Sequence, residues 1–131
     1  MKKDRLLNPM IVSEIAALGH TEYLCIADCG LPIPKDVRVV DVSVTAGIPK
    51  FLELLDVVVK ELVVESFIVA TEIETVNPKM LDDINSTLPG IPYSTVSHEE
   101  FKKLTKNAKC VIRTGEISSY ANIILIGGVN F

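Results

Sequence analysis

Along the whole chain, apolar runs of strand length alternate with stretches whose apolar residues recur at helical spacing, and proline or glycine stands at most of the junctions. That alternation limits the fold more than any other feature, because helices lying between strands in sequence are what cover the faces of a sheet. Asn8-Pro9 reads as a helix start, with Asn8 as N-cap and the proline in the first turn. Met10, Ile11, Ile15, Ala16 and Leu18 continue as one stripe, and Gly19 is a natural stop. Tyr23 to Ala27 reads as a buried strand, followed by a rigid loop carrying Gly30, Pro32 and Pro34. Val37 to Val44 is a second strand ended by Ala46-Gly47, Pro49 opens a helix through Leu62, and Phe67 to Ile73 is a third strand. Asn77-Pro78 repeats the helix start, that helix fades near Pro89-Gly90, and Tyr93 to Val96 is a short strand. Ser97 and Glu100 fit a capping box for a helix to about Lys106. Lys109 to Arg113 and Asn122 to Ile126 are the last strands. The expectation is one α/β domain over residues 1–131, a mixed or largely parallel sheet flanked by helices in three α/β/α layers.

Composition narrows the function classes. The 131 residues, 48% of them hydrophobic, can build one core but are too few for two ordinary domains. The formal net charge is −4, and Lys102, Lys103, Lys106 and Lys109 form the only basic cluster, read as a solvated helix face. That balance excludes nucleic acid or an anionic membrane as partner, since both need a concentrated basic face. No stretch approaches the ~20 apolar residues of a membrane span. Met1-Lys2-Lys3-Asp4-Arg5 is charged but precedes no long apolar segment, so a secretory signal is not expected. Cys25, Cys29 and Cys110 are odd in number and lack C-x-x-C spacing, which suits free thiols in the cytoplasm. Cys25 reads as a core residue. Cys29 reads as a packed thiol rather than a nucleophile, having no histidine near it in sequence.

Two histidines can be weighed singly. His20 follows the first helix, whose negative end favours imidazolium, whereas His98 lies in the first turn of a later helix, whose positive end favours a neutral ring. Together they make a plausible acid–base pair, against the alternative that each decorates a helix end. Asp28 ends the first strand, where ligands of α/β sheets gather, and could accept from polyol hydroxyls or cap its own loop. Tyr120-Ala121-Asn122 offers donors and acceptors to a polyol, or else a packed ring and a turn residue. Gly127-Gly128 is no dinucleotide fingerprint, and no phosphate loop or G-x-S-x-G element is present. Two histidines and unclustered cysteines make no zinc set. If the chain is an enzyme, a reaction without metal or cofactor is what remains.

Gly19-His20-Thr21-Glu22 through Ile26-Ala27-Asp28-Cys29-Gly30-Leu31-Pro32-Ile33-Pro34 resembles the opening of the D-ribose pyranase family. So do Ser97-His98-Glu99-Glu100-Phe101-Lys102, Val111-Ile112-Arg113-Thr114-Gly115-Glu116 and Tyr120-Ala121-Asn122-Ile123, all in register. Cys29 stands where many relatives carry a small residue such as alanine, and the stretch from Phe51 to Pro92 is less diagnostic. The resemblance implies conversion of the β-pyranose form of D-ribose to the β-furanose form, with His20 as proton donor. It implies that Asp28, His98, Tyr120, Ala121 and Asn122 bind the sugar, with a further contact from Lys102. It also implies a homodecamer of stacked pentameric rings with sites shared between neighbours, the C-terminal segment completing a site built on His20 and Asp28. A mean hydropathy of +0.36 is consistent with apolar surface buried between subunits.

The residues suit that chemistry. Opening a hemiacetal needs a proton on the ring oxygen and loss of one from the anomeric hydroxyl, and the aldehyde then recloses through another hydroxyl. The base could be His98, Asp28 or water. One alternative is anomer exchange of the L-fucose mutarotase type, whose members usually lack the Gly30 to Pro34 continuation. Another is a non-catalytic monosaccharide-binding assembly protein, against which the two histidines argue.

Overall fold

A computed structural model describes all 131 residues. Helix α1 (Pro9–Ala17) begins as the sequence predicts: Asn8 Oδ1 accepts from the N–H groups of Met10 and Ile11. Leu18 caps it, one residue before the expected stop at Gly19. Strand β1 (Tyr23–Ala27) follows, then β2 (Arg38–Asp41), which is shorter than the expected Val37 to Val44. The chain leaves the sheet there because the Asp41 carboxylate takes the N–H and hydroxyl of Ser43, and a turn closes through Thr45 and Ile48. Helix α2 (Phe51–Val59) starts after Pro49, where Glu53 accepts the Lys50 N–H, and ends three residues before Leu62.

Strand β3 spans Val64–Ala70, displaced from the expected Phe67 to Ile73. Ile73 instead opens a single helical turn, α3 (Ile73–Val76), and is fully buried. A buried apolar residue reads alike in either element. Helix α4 (Pro78–Thr87) and strand β4 (Tyr93–Val96) match expectation, except that Asn77 gives α4 no side-chain cap. In helix α5 (His98–Leu104), Ser97 Oγ accepts the Glu100 N–H, but Glu100 turns to Lys103. Half of the expected capping box therefore forms. A 3₁₀ turn at Thr105–Asn107 leads into β5 (Ala108–Arg113), and β6 (Ile123–Gly127) closes the chain.

The strands form one mixed sheet in the order β2-β5-β1-β6-β3-β4, in which β6 alone runs antiparallel. On one face Ile11, Phe51, Leu55, Val58, Leu81 and Ile84 from the helices pack on Leu24, Ile26, Phe67, Ile112, Ile123 and Leu125. On the other face Phe101 of α5 and Leu31 cover Cys25, Ala27, Val111 and Ile124. Each of these Leu, Ile, Val and Phe side chains that is fully buried contributes about 1.5–3 kcal/mol. Cys29 lies on the surface, contrary to the packed thiol expected, while Cys25 and Cys110 are buried. No helix is long and apolar enough to cross a membrane.

The topology fixes the site. The carboxyl ends of β1, β3, β4 and β5 meet at one edge of the sheet, and because β6 is reversed its amino end joins them. The amino ends, with His20 before β1 and Glu65 early in β3, lie at the opposite edge.

Candidate active site

A cleft of about 290 Å³ at the carboxyl edge is lined by Asp28, Gly30, Leu31, Pro32, His98, Ser119 and Tyr120. Asp28 is its best-tethered group. Its Oδ1 accepts the N–H groups of Gly30 at 2.9 Å and Leu31 at 2.8 Å, so it does cap its own loop. Its Oδ2 accepts Asn122 Nδ2 at 2.7 Å, and its backbone N–H donates to Asn122 Oδ1 at 2.8 Å. A carboxylate has about four acceptor positions, so capacity remains for a ligand hydroxyl. Asn122 itself is only 1% exposed, and its amide is directed to Asp28. Ala121 is fully buried and has no polar side chain to offer.

Tyr120 reaches the cleft from a left-handed backbone, φ +59°. That conformation is uncommon for a bulky residue and is tolerated where neighbours enforce it, often at a functional site. Here Asn77 Nδ2 donates to the Ser119 carbonyl, and the Asn122 N–H donates to that of Tyr120. Glu116 organises the approach: its carboxylate accepts the N–H groups of Phe51, Ile117 and Ser118, and its carbonyl accepts that of Cys29. Desolvation opposes ionisation of Glu116, but the N–H groups of Ser118 and Phe51 outweigh it and hold the carboxyl below its ordinary value.

The Tyr120 ring meets His98 edge-on, 5.1 Å between centroids. His98 starts α5, and its N–H donates to both oxygens of Glu72, at 2.9 and 3.1 Å. The N–H groups of Glu72 itself and of His98 hold the Glu72 carboxyl low. His98 Nδ1 is buried without a protein hydrogen-bond partner. Lys102, one turn along α5, pairs with Glu99 at 2.5 Å and is not part of the cleft lining.

His20 lies elsewhere. It borders an apolar hollow of about 620 Å³ with Leu18, Leu62, Val63, Gly128 and Phe131, and its Nε2 donates to Glu65 Oε2 at 2.6 Å. The five residues of β1 stand between it and Asp28, about 17 Å at ~3.3 Å per residue. One chain thus unites Asp28, His98, Tyr120 and Asn122 and leaves His20 apart. Antiparallel β6 lays Asn122 against Asp28 of the same chain.

Sequence reasoning missed Glu65, Glu72, Asn77 and Glu116. Glu72 follows a strand's carboxyl end, the signal that singled out Asp28, but the third strand was placed too late to show it. No group of three or more His, Cys, Asp or Glu side chains is arranged to hold a metal ion.

The sequence matches the RbsD / FucU transport protein family over residues 1–130. The D-ribose pyranase of Geobacillus thermodenitrificans (strain NG80-2) is 50% identical over 131 residues, covering 100% of this chain and 99% of that protein. That of Laribacter hongkongensis (strain HLHK9) is 47% identical, with 100% of both covered. Among solved structures, Bacillus subtilis RbsD complexed with D-ribose superposes with a TM-score of 0.97 at 44% identity, over 100% of both chains. The fucose mutarotase of Streptococcus pneumoniae in complex with L-fucose shares the fold, with a TM-score of 0.82 at 23% identity over 95% of this chain and 94% of that one. Matched from end to end, with relatives near half identical, the chain belongs to the RbsD / FucU transport protein family.

Proposed function

We propose that the chain is a D-ribose pyranase, interconverting the β-pyranose and β-furanose forms of D-ribose by ring opening and reclosure. The observation that carries this reading is the end-to-end likeness to D-ribose pyranases at about 50% identity, with a ribose complex superposing at a TM-score of 0.97. The polar cleft supplies matching chemistry. Asp28 accepts sugar hydroxyls, His98 and Tyr120 offer hydrogen-bonding groups beside it, and Asn122 holds Asp28 in place. His20 gives a proton to the ring oxygen as the bond from that oxygen to the anomeric carbon breaks. A base takes the anomeric hydroxyl proton, the aldehyde forms, and a different hydroxyl adds to it. His98, Asp28 and water are the candidate bases. This route needs no metal or redox cofactor.

Since His20 and Asp28 sit at opposite edges of one chain, the working site takes His20 from a neighbouring copy. The apolar hollow beside His20 and the exposed Leu7, Met10, Val63, Val129 and Phe131 support contact between copies. We read the assembly as stacked pentameric rings, working in the cytoplasm, where free thiols persist. Magnetisation-transfer NMR on D-ribose, with L-fucose as comparator and a chelator arm, tests the activity. The expected result is ribose exchange faster than buffer, undiminished by chelator, and faster than any effect on fucose. Ribose exchange at the buffer rate from folded protein would overturn the reading.

A further inference from the structure

Resting on that reading, we infer that Glu65 is a positioning residue for the reaction, a carboxylate that fixes the His20 ring and aims the proton it donates. Three independent features of the chain build the pair. First, β3 and β6 slip register between Val64 and Ser66, whose partners are Gly127 and Ile126, so Glu65 is the extra residue of a bulge. A bulge turns a side chain out of the regular pleat, and bulges recur beside active sites. Second, the turn that carries His20 is stapled to the end of β6. The Thr21 N–H donates to the Gly127 carbonyl at 2.8 Å and the Gly127 N–H to that of Glu22 at 2.9 Å. Within the turn, the Gly19 N–H donates to the Glu22 carboxylate and Thr21 takes a left-handed φ of +65°. Third, Gly127-Gly128 is what lets the three segments close up. A Cβ at Gly127 would stand 2.6 Å from the Gly19 carbonyl oxygen, and one at Gly128 would stand 3.1 Å from a Val63 methyl.

The outcome is a contact of 2.6 Å between His20 Nε2 and Glu65 Oε2, each side chain half exposed. An ionised carboxylate only accepts, so Nε2 is the donor, and Nδ1 is left as the nitrogen that exchanges a proton with substrate. In the forward step the Nδ1–H bond breaks as the O–H bond to the ring oxygen forms. Imidazolium becomes imidazole, which still donates Nε2–H to Glu65 and regains a proton from solvent. The carboxylate pairs most strongly with the imidazolium before transfer, so what it adds to the transition state is the fixed ring, with Nδ1–H aimed at the ring oxygen.

The test is kinetic, on the assembled protein. Glu65→Ala, which removes the acceptor that holds Nε2–H, should lower kcat for ribose exchange about 10- to 100-fold. The oligomer should stay assembled and the urea midpoint unchanged, because the Glu65 side chain is half exposed, so the loss is read in kcat at saturating ribose. Glu65→Gln, which keeps the size and an acceptor oxygen, should recover part of that loss, and Asp82→Asn, exposed on α4, should have no effect. Near-native kcat for Glu65→Ala, a change confined to KM, or an equal loss from Asp82→Asn would overturn the inference. An inactive wild-type protein, or a fully active His20→Ala variant, would instead remove the activity or the acid assignment beneath it, and the inference with them.

Discussion

Asn122 was legible in the sequence as a polar residue near a ligand, but not in what it does. Its burial and its two bonds to Asp28 make it the brace of the cleft's main acceptor. Asn122→Ala leaves the Asp28 N–H without its acceptor and Oδ2 without its donor, with only Gly30 and Leu31 still holding the carboxylate, so it should cost about 1–3 kcal/mol of stability and raise KM for ribose. Urea unfolding and exchange kinetics on the variant check both, and an unchanged urea midpoint would contradict the bracing role. The cysteines teach the same lesson. Burial pushes the Cys25 thiol up, and burial likewise pushes that of Cys110 up to about 11, whereas Cys29 is exposed. A thiolate-selective reagent at about pH 8 should therefore label one cysteine per folded chain and all three after denaturation. Residue type carries no burial signal at the turn that ends a strand, so Cys29 reads as packed in sequence and is exposed in the fold.

At the scale of elements, the helices with caps or proline starts were legible, while edges set by tertiary contacts were not. The Asn8 cap of α1 and the Ser97 cap of α5 stand as read. The short β2 depends on Asp41 turning to Ser43, and the start of β3 on pairing with β6, neither of which apolar pattern encodes. Phe101 is fully buried and seats the helix that carries His98 and Lys102. Phe101→Ala should lose about 3–5 kcal/mol, and any folded fraction should bind ribose more weakly, as isothermal titration would register. Buried Gly115 marks another constraint between elements, since a Cβ there would lie 2.2 Å from the Ile48 carbonyl oxygen. Gly115→Ala should displace the turn through Thr45 and Ile48 and lower the thermal midpoint.

For the whole molecule, five carboxyls — Glu22, Asp41, Glu72, Glu99 and Glu116 — are held below their ordinary values. The folded state therefore binds fewer protons than the unfolded chain in acid. This contribution is fully present above the unfolded carboxyl values of about 4 and is lost as pH falls through the lower folded values. The urea midpoint should drop steadily from about pH 5 to about pH 3, and a midpoint that rose on acidification would contradict it. The mixed sheet and helical layers were legible because alternating periodicity survives in sequence, but the reversal of β6 was not, and it decides which residues meet. The most direct measurement is complementation between two variants, His20→Ala and Asp28→Asn, each expected to be inactive alone. Co-assembled in equal amounts, random neighbours should restore about a quarter of the sites, and ribose exchange should return by NMR. A mixture as inactive as its parents, with mixed oligomers demonstrably formed, would contradict a site that joins His20 of one copy to Asp28 of the next.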